Sequence, residues 1–423
     1  MRKIVFSFLV LAFLTSSHEV SAQTIASKAP PDPTVNYDRL SRMDGLIQGY
    51  IDKGWLNGMV VLVVKDNQVV KYKAFGYADL ESKKPMAPDA LFRLASQTKA
   101  IVSAGILTLW EEGKFSLDEP ISDFIPAFAH PKVMDKFNPA DSSYTTIPAK
   151  REITFRDLLT HTSGLDYPGI GSERMRAIYE KAGIPSGLGN IDRDLNERMN
   201  ALARLPLAHQ PGEKWTYGLS VDLLGCLIEI ISGKDLETFL HDRIFAPLGM
   251  HDTYFNVPAS KAGRLATVYT EDSLHHVIRW ASNHFGIDPA YPLQPKHYFS
   301  GGAGLTGSAF DYAVFLQMLL NGGRYNGVQV LAPRTVQLMT SGQLDFMFNG
   351  RDNFGLGFGV TSEKSATREP RNAGSFSWGG YFGTTYWADP KAKMVVLIMT
   401  QQTPNSHGEL TGRVEQLIYQ SLK

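Results

Sequence analysis

Apolar positions near the start of the chain recur at helical spacing: Leu40, Met43, Leu46, Ile47 and Ile51 share one face. An unbroken apolar run, Met59–Val64, then reads as a strand, Asp66-Asn67 as a turn, and Val69–Phe75 as the strand returning beside it. This predicts a hairpin in the central sheet of an α/β or α+β domain. From about residue 95 to about residue 300 the pattern turns mostly helical and loop-rich, with the clearest helices at Ala95–Glu112, Ile153–Thr160, Asp192–Leu205 and Val221–Ile231. Strand-like runs return at Gly355–Val360, Thr384–Ala388 and Met394–Met399. A final amphipathic helix carries Leu410, Val414, Leu417, Ile418 and Leu422. The two ends of the chain are therefore expected to share one sheet, with a helical region inserted between them. No internal repeat or low-complexity tract is present, which argues against a solenoid or propeller. The long connections Lys132–Lys150 and Asp166–Asn190 are expected to cover a cleft.

The first residues are set apart. Arg2 and Lys3 precede the apolar run Ile4–Leu14, and Val20-Ser21-Ala22 offers a small-residue cleavage site before Gln23, so residues 1–22 read as a secretory signal peptide. The expected address is periplasmic or secreted. The run is about half of the ~20 apolar residues a spanning helix needs, so no stable membrane span is expected. Residues 23–36, with Ala29-Pro30-Pro31-Asp32-Pro33, read as a linker. Residues 37–423 read as one domain, with sheet regions at about 37–94 and 300–423 and a helical region at about 95–299.

Composition narrows the function. The chain has 423 residues, 42 basic against 42 acidic, and 43% hydrophobic positions, with a sequence pI near 7.2. It can bury a large core, and it lacks the positive excess that capture of nucleic acid requires. Its one cysteine, Cys226, allows no internal disulfide. A monomer is the default expectation.

Three segments carry candidate chemistry. In Phe92-Arg93-Leu94-Ala95-Ser96-Gln97-Thr98-Lys99, Ser96 and Lys99 stand three apart at the start of a helix that is apolar nearly all round; no other serine here has lysine three residues on. A helix N-terminus favours an alkoxide on Ser96 and a neutral Lys99. To act as a base, Lys99 would have to fall from about 10.4 to about 7. The plainer reading makes Ser96 an N-cap and Lys99 a solvated or snorkelling first-turn residue. In Trp215-Thr216-Tyr217-Gly218-Leu219-Ser220, Tyr217 precedes a buried helix; it reads either as a proton shuttle beside Ser96 and Lys99 or as a core tyrosine with its hydroxyl bonded. In Phe376-Ser377-Trp378-Gly379-Gly380-Tyr381-Phe382-Gly383, glycines permit close approach of a substrate to the backbone, unless they mark only a bulge. The N–H groups of Ser96 and Tyr381 are candidates for an oxyanion hole.

In this order and separation the segments resemble the serine β-lactamase and penicillin-binding-protein superfamily, and most nearly its class C-like branch with the family VIII carboxylesterases. Ile153-Thr154-Phe155-Arg156-Asp157-Leu158-Leu159-Thr160-His161-Thr162-Ser163-Gly164-Leu165 and Gly301-Gly302-Ala303-Gly304-Leu305 extend the resemblance over nearly all of residues 37–423. It implies a β-lactamase/transpeptidase-like α/β (α+β) fold, an antiparallel sheet flanked by helices. It implies Ser96 as nucleophile, Lys99 as its activating partner and Tyr217 as the third catalytic group, with Trp378-Gly379-Gly380 flanking the substrate. Two positions depart from the β-lactamase pattern: Trp378-Gly379-Gly380 replaces the Lys-Thr-Gly that meets a substrate carboxylate, and Leu219 replaces the asparagine that bonds the antibiotic's amide.

These departures favour a serine hydrolase that cleaves carboxylic esters through an acyl-enzyme on Ser96, its aromatic pocket preferring short or aromatic acyl groups. The alternatives are a β-lactamase or D-amino-acid peptidase with the same residues, and a penicillin-binding or sensor protein that acylates without turnover. The expected partner is a small-molecule ester or lactam. No cofactor and no metal are expected, because His241, His251, His275 and His276 lack a zinc spacing and Gly301–Gly307 lacks a phosphate-loop ending. His161 is expected to be a structural, hydrogen-bonded histidine. Ser308, three before Asp311, reads as a helix cap.

Overall fold

The run Met59–Val64 lies inside strand β1 (Gly58–Lys65) at the middle of the main sheet, in a computed structural model that describes residues 24–27, 30–189, 191, 194–281 and 286–423. Residues 1–22, expected as a signal peptide, lie outside the described residues.

The sheet takes its strands from both ends of the chain. After β1 come β2 (Gln68–Asp79) and β3 (Lys84–Pro85). From the far end come β4 (Asn353–Phe354), β5 (Gly359–Val360), β6 (Phe376–Gly379), β7 (Thr385–Asp389) and β8 (Met394–Met399), in the spatial order β4-β5-β6-β7-β8-β1-β2-β3. Every pairing is antiparallel; Val60 faces Met399 and Val64 faces Val395, while Trp378 faces Tyr386 across β6 and β7. The expected strand Gly355–Val360 is shorter, reduced to β5.

β1 from Gly58 to Val64 and β8 throughout are apolar because both faces of the sheet are covered. Val61, Val63, Val396 and Ile398 pack with Met43 and Ile47 of α1 (Arg42–Asp52) and Val414 and Ile418 of α5 (Glu409–Tyr419). Val60, Leu62, Val395 and Leu397 face the larger core, which holds α2 (Thr98–Glu111), α3 (Ser220–Ser232) and α4 (Ala309–Leu320). The side chain of Ser308 accepts from Asp311 N–H at 3.1 Å and caps α4.

The middle of the chain is more mixed than its pattern predicts. Lys132–Phe137 and Tyr144–Pro148 form a hairpin where a cleft-covering loop was expected, and Tyr269–Glu271 and Val277–Arg279 form another. Their exposed outer faces break the apolar alternation that would have marked them. The expected helix Asp192–Leu205 is present as Leu195–Leu202; residue 192 lies outside the described residues. The segment expected as a linker is docked in part: Ile25 and Val35 are buried, and Val35 bridges to Leu422. Among the described residues no helix is long and apolar enough to cross a membrane.

Candidate active site

Ser96 sits on a 3-10 helical turn, Ala95–Gln97, that leads directly into α2. Ala95 holds φ +45°, a left-handed conformation that side chains other than glycine adopt at a cost. That turn presents Ser96 to a cavity of about 820 Å3, whose wall also includes Tyr167, Tyr217, Trp378 and Tyr381.

α2 is buried from Thr98 through Leu109, and Lys99 is 2% exposed. A snorkelling lysine is therefore excluded. Its Nζ donates to the Gly302 carbonyl at 2.8 Å, to Tyr167 Oη at 3.1 Å and to Ser96 Oγ at 3.4 Å. Three acceptors match the three N–H bonds of an ammonium. Burial opposes that charge, but the Tyr167 and Tyr217 phenols and the Asp222 carboxyl outweigh it, so Lys99 is held above its ordinary value. The lysine is buried among oxygens rather than in hydrocarbon, which opposes the expected fall toward neutrality.

Tyr217 stands just before α3, its ring centre 4.5 Å from Lys99 Nζ, and its Oη accepts from Trp378 Nε1 at 3.3 Å. Trp378, expected only to flank substrate, thus also touches the phenol. Gly379 lines the cavity and Gly380 does not, but a Cβ on Gly380 would collide with the Leu94 carbonyl two residues before Ser96. Gly380 therefore lets the turn that carries Tyr381 lie against the Ser96 turn. Among the described residues neither the Ser96 nor the Tyr381 N–H is spent on a backbone acceptor outside regular structure.

Two expectations are corrected. Leu219, expected against the substrate, is fully buried in the core and does not line the cavity, because it lies at the start of α3 with its side chain turned inward. His161 is buried but has no hydrogen-bond partner on either ring nitrogen among the described residues. Its ring packs 5.0 Å from that of Tyr217 and 5.6 Å from that of Phe354, and burial with the nearby Lys99 charge holds it neutral.

Two residues at the site carried no sequence signal of their own. Tyr167 follows a glycine-hinged stretch, Gly164 having φ +85°, in the segment marked only for its length. Asp222, five residues after Tyr217, reads as an ordinary acid in the first turn of α3. The segment 166–190 does reach the cavity, through Tyr167, Ile170, Glu180 and Leu188, whereas the hairpin at 132–148 does not.

Comparison with known proteins identifies the family. The sequence profile of the beta-lactamase family matches residues 43–420. Protein Rv1367c of Mycobacterium tuberculosis is 35% identical over 376 residues, covering 85% of this chain and 89% of that one. Esterase EstB of Burkholderia gladioli is 31% identical over 404 residues, covering 90% and 95%. The solved structure of EstCE1, described as a hydrolase with promiscuous acyltransferase activity, superposes with a TM-score of 0.78 at 28% identity, covering 90% and 99%. The chain belongs to the beta-lactamase family and has that family's serine-hydrolase fold.

Proposed function

We propose that the protein is a carboxylesterase of the family VIII type that works through an acyl-enzyme on Ser96. The observation that carries this reading is that Ser96 and Tyr217, with Lys99 buried behind them, line a cavity whose one charged lining side chain, among the described residues, is the acidic Glu180. A lactam or peptide carboxylate would find no lining cation there. The names of EstB and EstCE1 support the same reading.

In this mechanism Lys99 and Tyr217 act as a couple that shares one proton. With Lys99 held as an ammonium, the Ser96 proton passes to the Tyr217 oxygen, whose negative charge is met by Lys99 and by the Trp378 N–H. Ser96 Oγ attacks the ester carbonyl, and the oxyanion develops toward the Ser96 and Tyr381 N–H groups. The alcohol leaves with the proton, and a water activated by the same couple releases the acid. The cavity has the volume of a site for a drug-sized ligand, so in place of the preference for short or aromatic acyl groups expected from the sequence, bulky apolar acyl groups are expected to react as well as short ones.

The test is steady-state hydrolysis of p-nitrophenyl butyrate and of a chromogenic cephalosporin by residues 23–423, beside Ser96→Ala. Ester turnover that far exceeds cephalosporin turnover and vanishes in the variant is expected. Dominant cephalosporin turnover would make the protein a β-lactamase, a stoichiometric burst alone a sensor, and full activity in Ser96→Ala would overturn the nucleophile.

A further inference from the structure

Asp222 is fully buried, and its carboxylate forms no ion pair with any described residue in contact with it. Its Oδ1 accepts from Ser300 Oγ at 2.6 Å and from Tyr298 Oη at 3.5 Å. Oδ2 has no hydrogen-bond partner among the described residues. Burial pushes the carboxyl above its ordinary value, against Ser300, the Lys99 charge and the Gly302 backbone, which favour the carboxylate. A Cβ on Gly302 would collide with Asp222 Oδ2 and stand 3.0 Å from Tyr167 Oη; one on Gly301 would collide with the Val221 carbonyl. The 300–302 loop is therefore pressed onto α3 around this carboxylate. The carbonyl of the same Gly302 is the nearest acceptor of the Lys99 ammonium, at 2.8 Å. The backbone of one residue thus lies against the buried carboxylate on one side and grips the buried cation through its carbonyl.

We propose that Asp222 is a positioning residue which, through Ser300 and Gly302, fixes the carbonyl that holds Lys99 and supplies that ammonium's counter-charge. The inference rests on the reading of Lys99 and Tyr217 as the couple that activates Ser96. An isolated buried charge is strongly disfavoured, and two of opposite sign, linked through hydrogen-bonding groups, stabilise each other. The other titratable groups facing Lys99 are Tyr167 and His161 from the 161–167 segment and Tyr217 ahead of α3, with Tyr298 behind Asp222. His161 is neutral, which leaves Asp222 as the carboxylate in this set.

The charge role has a signature that packing alone does not give. Removing a negative charge makes every proton on a neighbouring couple easier to lose. The active form of the couple holds one proton, so in Asp222→Asn both limbs of the pH profile move to lower pH, by about one unit. A loss of packing would lower the amplitude and leave the limbs in place.

The experiment measures the rate at which a fluorophosphonate labels Ser96, with displacement of fluoride, from pH 5 to pH 10. It compares the unaltered chain, Asp222→Asn and Ser300→Ala, with ester turnover followed in parallel. Expected are a profile displaced downward in Asp222→Asn, and in Ser300→Ala an undisplaced profile with a rate at least fivefold lower. An undisplaced profile in Asp222→Asn overturns the counter-charge. A full rate in Ser300→Ala overturns the anchor, and this arm decides even where Asp222→Asn does not fold. Labelling of the unaltered chain without turnover of any ester would sink the esterase reading and leave Asp222 standing; no labelling at all would sink both.

Discussion

Lys99 is the residue on which the proposed chemistry turns, and its surroundings set what each neighbour is worth. Tyr167 supplies one of three acceptors, and a hydrogen bond to a charged group is worth about 1.5–3 kcal/mol. Tyr167→Phe is therefore expected to lower kcat/KM for p-nitrophenyl butyrate by about 10- to 100-fold while the thermal midpoint changes little; unaltered kcat/KM would remove Tyr167 from the couple's support. The pair Ser96 and Lys99 was legible because a three-residue spacing on an apolar helix is a local pattern. Tyr167 was not, since its place beside Lys99 depends on a chain reversal after residue 161, where His161 and Gly164 both take positive φ, and no periodicity reports such a reversal. Leu219 was misplaced for a related reason: sequence position says which residue follows Tyr217 by two, but not that the first turn of α3 rotates it into the core.

At the scale of elements, the site is two turns held face to face. The Ala95–Gln97 turn presents Ser96, and the turn after β6 presents Tyr381, with Gly380 N–H donating to the Thr384 carbonyl at 2.7 Å and Gly383 N–H to the Gly380 carbonyl at 3.0 Å. Nothing but hydrogen fits at Gly380, because the Leu94 carbonyl and Thr384 Oγ1 occupy the space of a Cβ. Gly380→Ala must push the second turn away from the first and carry the Tyr381 N–H with it. Loss of one oxyanion donor typically reduces kcat by about 100- to 1,000-fold, so kcat is expected to fall on that scale with KM nearly unaltered. Gly412→Ala is the control: it lies in α5 with nothing within 4 Å of its Cβ, and is expected to keep full activity. A Gly380→Ala variant with normal kcat would show that the Tyr381 turn does not bear on the reacting oxygen. Taken alone, the glycines read more readily as a structural bulge than as a close approach; the facing carbonyl of Leu94 shows the close approach.

At the scale of the molecule, the joining of both chain ends in one sheet was legible, because strands covered on both faces are apolar at consecutive positions and helices covered on one face are not. The hairpins of the middle region were hidden by their exposure. A further consequence of burial appears far from the site, where Glu229 near the end of α3 accepts from Leu236 N–H at 3.1 Å and from Asn196 Nδ2 at 3.0 Å. Burial, with the acidic neighbours Asp194 and Asp235, pushes its carboxyl up to about 7. A carboxyl raised on folding takes up a proton that the unfolded chain has already lost. Stability from this group is therefore fully present below its unfolded value near 4.5, and is lost as pH rises toward 7. The full difference corresponds to about 3 kcal/mol, and the partial exposure of Glu229 brings it to about 1–2. Glu229→Gln keeps an acceptor for Leu236 and cannot ionise. Relative to the unaltered chain, its urea midpoint should therefore be higher at pH 8 than at pH 4.5. The measured quantity is the difference between the two proteins at each pH, since other groups contribute equally to both. A difference that does not vary with pH would show that the Glu229 carboxyl titrates in the folded chain as it does in the unfolded one.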